Sequence, residues 1–214
     1  MKLARRMSTF KLYSYPGSCS LAVHIVLIEG GFDYEIVEVS LSDKGLAVGD
    51  EPLGKVNPKG KVPALQIDDE KILTEGCVIN QYLQSQSPEE LFFPLGEGKW
   101  DALETLNFLT TDLHKGMALY FAPYVTEEVK EAHKNHDSKR SFGHLNQLLE
   151  GKDYLFGDRA SIADFYAYVI STWTFLHKVD ISEFKNVVEF GKRIESRPAV
   201  QQALKESGLK PYFS

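Results

Sequence analysis

The sequence predicts two domains, an α/β N-terminal domain built on a small mixed sheet and an all-α C-terminal domain. Three observations carry that expectation. Over residues 9–85 the apolar pattern switches between strand alternation and a period of about 3.6 residues. Ser87-Pro88-Glu89-Glu90 and Pro94-Leu95-Gly96-Glu97-Gly98 then break the pattern as a linker would. From Lys99 onward the periodicity is helical and no strand pattern recurs. The expected boundaries are 1–88, a linker over 89–98, and 99–214.

Thr9 to Tyr15 is β-prone and alternating, and Ser18 to Gly30 follows with Leu21, Ala22, Ile25, Val26 and Ile28 at helical spacing, ending at Gly30-Gly31. Tyr34 to Leu41 alternates again. Ser42 to Lys61, punctuated by glycine and proline, is expected to be an irregular or short helical connection. Val62 to Ile67 and Lys71 to Leu73 predict a hairpin turning at Asp68-Asp69-Glu70, and Glu75 to Ser85 a helix. The order is β-α-β, a crossover, then β-β-α. Lys99 to Ala122, Glu127 to Leu149, Ser161 to His177, Glu183 to Ser196 and Ala199 to Gly208 read as helices.

Composition narrows the function classes. The 214 residues carry 24 Lys and Arg against 30 Asp and Glu, a net charge of -6, which argues against nucleic acid or an anionic membrane as partner. Cys19 and Cys77 form no disulfide framework, pointing to a reducing compartment and a cytoplasmic location. No apolar run reaches transmembrane length, and no secretory apolar stretch follows the basic Met1 to Arg6. Residues 1–8 are expected to be a disordered leader, with Met7 a second candidate start. His133, His136 and His144 lack ligand partners at metal-binding spacing, so no metal is expected. A glycine-rich phosphate loop and a serine-nucleophile elbow are both missing from the sequence.

Four stretches point to a site. Tyr13-Ser14-Tyr15-Pro16-Gly17-Ser18-Cys19-Ser20-Leu21-Ala22 places Cys19 where a strand turns into a helix. Unpaired N–H groups and the helix dipole there favour an anion, so the thiol is expected to have a lowered pKa and an available sulfur. The competing reading makes Cys19 a small buried hydrophobe. In Gly60-Lys61-Val62-Pro63-Ala64-Leu65, a cis Pro63 would leave the Val62 backbone free to pair with an extended peptide; plain punctuation at a strand start is the alternative.

Leu73-Thr74-Glu75-Gly76 precedes an apolar helix. Gly76 lets a ligand approach bare backbone and Glu75 suits an ammonium group, unless Thr74 or Glu75 simply caps the helix. On Lys99 to Ala122, the stripe Leu103, Leu106, Leu109 or Thr110, Leu113 and Met117 is expected to face a core. Asn107, Thr111, His114 and Ala118 form a second, polar face suited to directed hydrogen bonds, with Lys115 beside it. Ser161-Ile162-Ala163-Asp164 resembles a capping box with Ser161 as structural N-cap, and Asp164→Ala is expected to cost about 0.5–2 kcal/mol. Cys77 is read as a packed thiol.

In sequence order, the cysteine turn, Asn57-Pro58-Lys59-Gly60-Lys61-Val62-Pro63-Ala64-Leu65, Leu73-Thr74-Glu75-Gly76, Asn107-Phe108-Leu109-Thr110-Thr111-Asp112-Leu113-His114-Lys115-Gly116, and Gly157-Asp158 with Ser161 to Asp164 resemble a glutathione S-transferase of the bacterial beta class. The likeness runs from Lys11 to about Gly208. It implies a thioredoxin-like N-terminal domain, a helical C-terminal domain with an electrophile pocket, and a homodimer using glutathione as co-substrate without metal. By motif, Cys19 contacts the glutathione sulfur, and Val62 pairs with the cysteinyl part. Glu75 and Gly76 hold the γ-glutamyl end, and Lys44 faces the glycyl carboxylate. His114 and Lys115 border the thiol, Asn107 and Thr111 reach the partner subunit's glutathione, and Trp173 lines the electrophile pocket. Lys61 and Met117-Ala118-Leu119 depart from the family pattern.

The implied reaction joins the glutathione thiol to small hydrophobic electrophiles, as in detoxification. Two other readings stand beside it: a glutathione-dependent thiol–disulfide reductase, peroxidase or isomerase using Cys19, and a non-catalytic binding protein for glutathione or hydrophobic ligands.

Overall fold

A computed structural model of the chain describes residues 9–43, 45–68 and 71–214. The expected leader, Lys44 and the hairpin tip at Asp69-Glu70 lie outside the described residues. The chain divides into two units. One holds the described residues up to Leu91 with Gln202–Leu209; the other holds Phe92–Gln201 with Lys210–Ser214.

The first unit is built on a four-stranded mixed sheet. β1 (Phe10–Ser14) runs parallel to β2 (Tyr34–Glu38), with Leu12 opposite Ile36. Between them in sequence lies α1 (Ser20–Glu29), in which every residue from Ser20 to Leu27 is buried. Each fully buried aliphatic such as Leu21, Ile25 or Leu27 contributes about 1.5–3 kcal/mol. The helix stops where Gly31 takes φ +65° and the Phe32 N–H returns to the Leu27 carbonyl at 3.0 Å.

The expected irregular connection after β2 is instead largely a second, three-stranded sheet: β3 (Ser40–Ser42), β4 (Gly45–Val48) and β5 (Glu51–Pro52), all antiparallel. Gly49, at φ +58°, makes the two-residue Gly49-Asp50 turn that pairs Val48 with Glu51. After a short 3-10 turn at Leu53–Lys55 the chain enters β6 (Ala64–Gln66), antiparallel to both β1 and β7 (Ile72–Thr74). The strand order of the main sheet is therefore β2-β1-β6-β7. α2 (Gly76–Gln86) then buries Cys77, Ile79 and Leu83. This mixed sheet with its helices is the thioredoxin-like domain expected from the sequence.

From the far end of the chain, Glu206 joins this unit. Its Oε2 lies 2.8 Å from Nε2 of the buried His24 and accepts from the Tyr34 hydroxyl at 2.7 Å. Burial pushes the His24 imidazole below its usual range despite that carboxylate.

The second unit is helical. The predicted Lys99 to Ala122 helix is interrupted: α3 (Lys99–Phe108) leads into a π turn, Leu109–His114, then α4 (Lys115–Ala118) and a 3-10 turn, Leu119–Phe121. α5 (Glu127–His133) likewise reaches α6 (Lys139–Leu148) through a π turn at Lys134–Ser138. α7 (Ile162–His177) is buried continuously from Ile162 to Thr174 and is the axis of the unit. α8 (Lys185–Glu195) and α9 (Pro198–Glu206) come last.

Two buried carboxylates hold loops to this frame. Asp164 accepts from the N–H groups of Leu155 and Ser161, both at 2.8 Å, and Ser161 Oγ completes a capping box with it. Glu195 accepts from the backbone N–H groups of Tyr212, Phe213 and Ser214 and from the Tyr168 hydroxyl.

Candidate active site

In the first unit, β1 delivers the chain into a turn at Pro16-Gly17, where Gly17 takes φ +74°. A hydroxyl cluster fixes the entry into α1: Ser20 Oγ lies 2.8 Å from Ser14 Oγ and 2.7 Å from Ser18 Oγ. Cys19 sits at the N-cap of α1, and its Sγ–H donates to the Val62 carbonyl at 3.5 Å. Val62 is brought there by Asn57, which is buried, donates through Nδ2 to the Lys61 carbonyl and receives the Lys59 N–H on Oδ1. The Val62–Pro63 bond is cis.

The thiol overturns the expectation of a lowered pKa. Cys19 keeps part of its surface exposed, but its sulfur lies in dense protein, and that burial pushes it up to about 12. Its own N–H pulls the other way, Glu75 raises it further, and Lys61 lowers it. The helix-start N–H groups expected to hold a thiolate are engaged by the turn: Ser20 N donates to Ser18 Oγ, Leu21 N to the Ser18 carbonyl, and Ala22 N to the Cys19 carbonyl. Cys19 is thus held as a thiol donor to the Val62 carbonyl.

Glu75 occupies the N-cap of α2 at φ +68°, ψ +107°, a conformation that side-chain-bearing residues rarely adopt. Its carboxylate makes no capping bond and instead meets Lys59 Nζ, which also donates to Thr74 Oγ1 at 2.7 Å. Glu75 is exposed and its backbone carbonyl accepts from Val78 and Ile79, so the strained turn points an anion outward beside the bare backbone of Gly76. Lys59 had no assigned role in the sequence, although it lies inside the Asn57 to Leu65 motif.

In the second unit, Asn107 ends α3's exposed face and its carbonyl accepts from the hydroxyls of Thr110 and Thr111. Thr111 Oγ1 also donates to Asp112 at 2.9 Å, and Lys115 is exposed. The π turn ends at His114, whose Nδ1 meets the Tyr166 hydroxyl. Trp173 lies edge-on to the imidazole with ring centroids 5.2 Å apart, and Phe121 lies edge-on to Trp173 at 5.0 Å. The aromatic wall continues through His177, 4.4 Å from Phe121, to Tyr120.

Tyr166 escaped the sequence reading. The signal for it was its position seven residues before Trp173 on one apolar helix, a spacing that returns to the same face. Among the described residues no group of three or more His, Cys, Asp or Glu is placed to hold a metal ion. No helix of the described residues is long and apolar enough to cross a membrane.

The family model for the glutathione S-transferase N-terminal domain matches residues 8–85, and that for the C-terminal domain matches residues 111–207. The chain belongs to the glutathione S-transferase family. It is 39% identical to glutathione S-transferase GstA of Escherichia coli O157:H7 over 94% of this chain and 100% of that one. A bacterial beta class glutathione S-transferase from Sphingomonas chungbukensis superposes with a TM-score of 0.86 at 36% identity, covering 94% of this chain and 100% of the other. A sphingomonad glutathione S-transferase complexed with glutathione gives a TM-score of 0.82 at 35% identity, with 94% and 100% covered. The beta class read from the sequence thus recurs among its structural neighbours.

Proposed function

We propose that this glutathione transferase joins the thiol of its co-substrate glutathione to small hydrophobic electrophiles, a detoxifying reaction in the cytoplasm, and that it works as a homodimer. The observation that carries the reading is the Cys19 Sγ–H placed against the Val62 carbonyl beside cis Pro63. It brings a thiol donor to a stretch of backbone suited to an extended peptide. Residues 1–88 then bind glutathione, 99–214 take the electrophile, and 89–98 link them.

In this reading the glutathione sulfur is the nucleophile and Cys19 donates to it. A protonated thiol suits that role and is a poor attacking group for disulfide exchange, which needs the thiolate. Conjugation is therefore favoured over the Cys19-centred reductase, peroxidase or isomerase. Val62 pairs with the cysteinyl backbone, Glu75 takes the γ-glutamyl ammonium group from Lys59, and Gly76 N–H faces its carboxylate. Lys44 takes the glycyl carboxylate. His114 and Lys115 stabilise the developing thiolate, Asn107 and Thr111 reach the partner subunit's glutathione, and Trp173 with Phe121 offers the electrophile aromatic surface. Proximity of thiolate and electrophile supplies the remaining acceleration.

Calorimetric titration with glutathione tests the foundation. Binding that Glu75→Gln weakens about tenfold or more supports it, since a charge-assisted contact is lost. Absence of binding to the wild type sinks the conjugating, the Cys19-centred and the binding readings together. Conjugation that Cys19→Ala leaves at full rate, with disulfide reduction lost, would remove Cys19 from the transferase mechanism.

A further inference from the structure

The cation that meets Glu75 stands on a loop fixed from below. Asn57, which is buried, receives the Lys59 N–H on Oδ1 at 3.1 Å and the Gly60 N–H on its backbone carbonyl at 2.7 Å, and Gly60 turns at φ +62°. Asn57 also donates to the Lys61 carbonyl, so one side chain sets both Lys59 and the approach to Val62. From that loop the Lys59 ammonium group reaches the end of β7, where it donates to Thr74 Oγ1 at 2.7 Å and to the Glu75 carboxylate. Lys59 and Glu75 keep 48% and 66% of their side chains exposed. An ion pair so open to water is weak, and parting it costs at most about fivefold in binding.

We propose that Lys59 is a ligand-binding residue: it releases Glu75 and pairs with the α-carboxylate of the γ-glutamyl group, so that the Lys59–Glu75 pair reads the zwitterionic head of glutathione. The inference rests on the reading of Glu75 as the partner of the ammonium group. The charges exchange one for one. A ligand bringing only an ammonium group takes Glu75 and leaves Lys59 without its carboxylate, whereas an α-amino acid head replaces both partners at once. Thr74 Oγ1 keeps Nζ at the end of β7 during the exchange, since an ammonium group has three donors and the hydroxyl occupies one. The backbone of Glu75 turns its carboxylate out of the capping position and into this pair, beside Gly76 at the start of α2. A helix-start N–H lacks an intrahelical partner and supports the same ligand carboxylate.

Calorimetric titration compares the wild type with Lys59→Met, which keeps an apolar stem without the charge. The ligands are glutathione and 4-aminobutyryl-cysteinyl-glycine, which is glutathione without the α-carboxylate. Lys59→Met should weaken glutathione about tenfold, the loss of one charge-assisted contact, and should leave the truncated peptide unchanged or up to about fivefold tighter. The wild type should bind the truncated peptide at least about tenfold more weakly than glutathione. Glutathione bound equally or more tightly by Lys59→Met overturns the proposal, because Lys59 then only occupies Glu75. Both peptides weakened alike by Lys59→Met overturns it too, because the effect then comes from a disturbed Asn57 loop. Equal affinity of the wild type for the two peptides overturns it without any variant, so a poorly folding Lys59→Met does not protect it. If Glu75→Gln binds glutathione as the wild type does, the reading of Glu75 fails and the exchange with it, whereas a weakened Glu75→Gln beside an unaffected Lys59→Met overturns the Lys59 assignment alone.

Discussion

Replacing Asp164 by alanine deletes a fully buried carboxylate that serves two segments at once. It caps α7 through the Ser161 N–H and pins the preceding loop through the Leu155 N–H, each at 2.8 Å. Alanine leaves both buried donors without this acceptor, at about 1–3 kcal/mol each. The loss near pH 5 should therefore be about 2–6 kcal/mol, larger than the 0.5–2 kcal/mol of a cap alone. Burial raises the Asp164 carboxyl from 3.8 to about 6, while the bonds from Leu155 and Ser161 pull it down. A native pKa above the unfolded value means the folded state holds the proton more tightly. The stability from this group is full below about pH 4 and falls as pH rises through 6. The wild-type advantage over Asp164→Ala should accordingly shrink by about 1–2 kcal/mol between pH 5 and pH 8. Urea unfolding of both proteins at the two pH values measures it. A loss below about 1 kcal/mol at pH 5, or an advantage that grows with pH, refutes the reasoning.

Two further outcomes rest on single contacts. Iodoacetamide should alkylate Cys19 of the unliganded protein at pH 8 at least about tenfold more slowly than free cysteine, followed by peptide mass spectrometry; a faster rate would mean a stabilised thiolate. Gly191→Ala would drive a Cβ into the Phe213 ring, so it should cost about 1–3 kcal/mol in thermal unfolding, and an unchanged melting temperature would contradict that packing.

Period and punctuation made the main frame legible. α7 was plain because thirteen successive positions from Ile162 to Thr174 are buried behind a Ser-Ile-Ala-Asp start. The three-stranded sheet after β2 was not, since its strands are two to four residues long, too short for alternation to show; the Gly49-Asp50 turn was its one local mark. The π turns were hidden for another reason: apolar spacing barely changes when a helix absorbs one residue. At the site, the local motif placed Cys19 at a helix start but could not show that Ser18 already engages the Ser20 and Leu21 N–H groups. A thiol's protonation depends on those partners and on the burial around it, neither of which is encoded in a ten-residue window. Tyr166 was only faintly marked, by its spacing from Trp173, because its hydroxyl meets a histidine 52 positions away.

The π turn at Leu109–His114 carries an implication for how such a site arises. A π turn is an α-helix that has accepted one extra residue. Because the widened turn takes up that residue locally, Leu113 and Met117 beyond it stay buried on the side that Leu106 and Leu109 set before it. A lineage could therefore gain or lose one residue between Leu109 and His114 without turning the rest of the helix out of its core, the change being absorbed in the winding of a single turn.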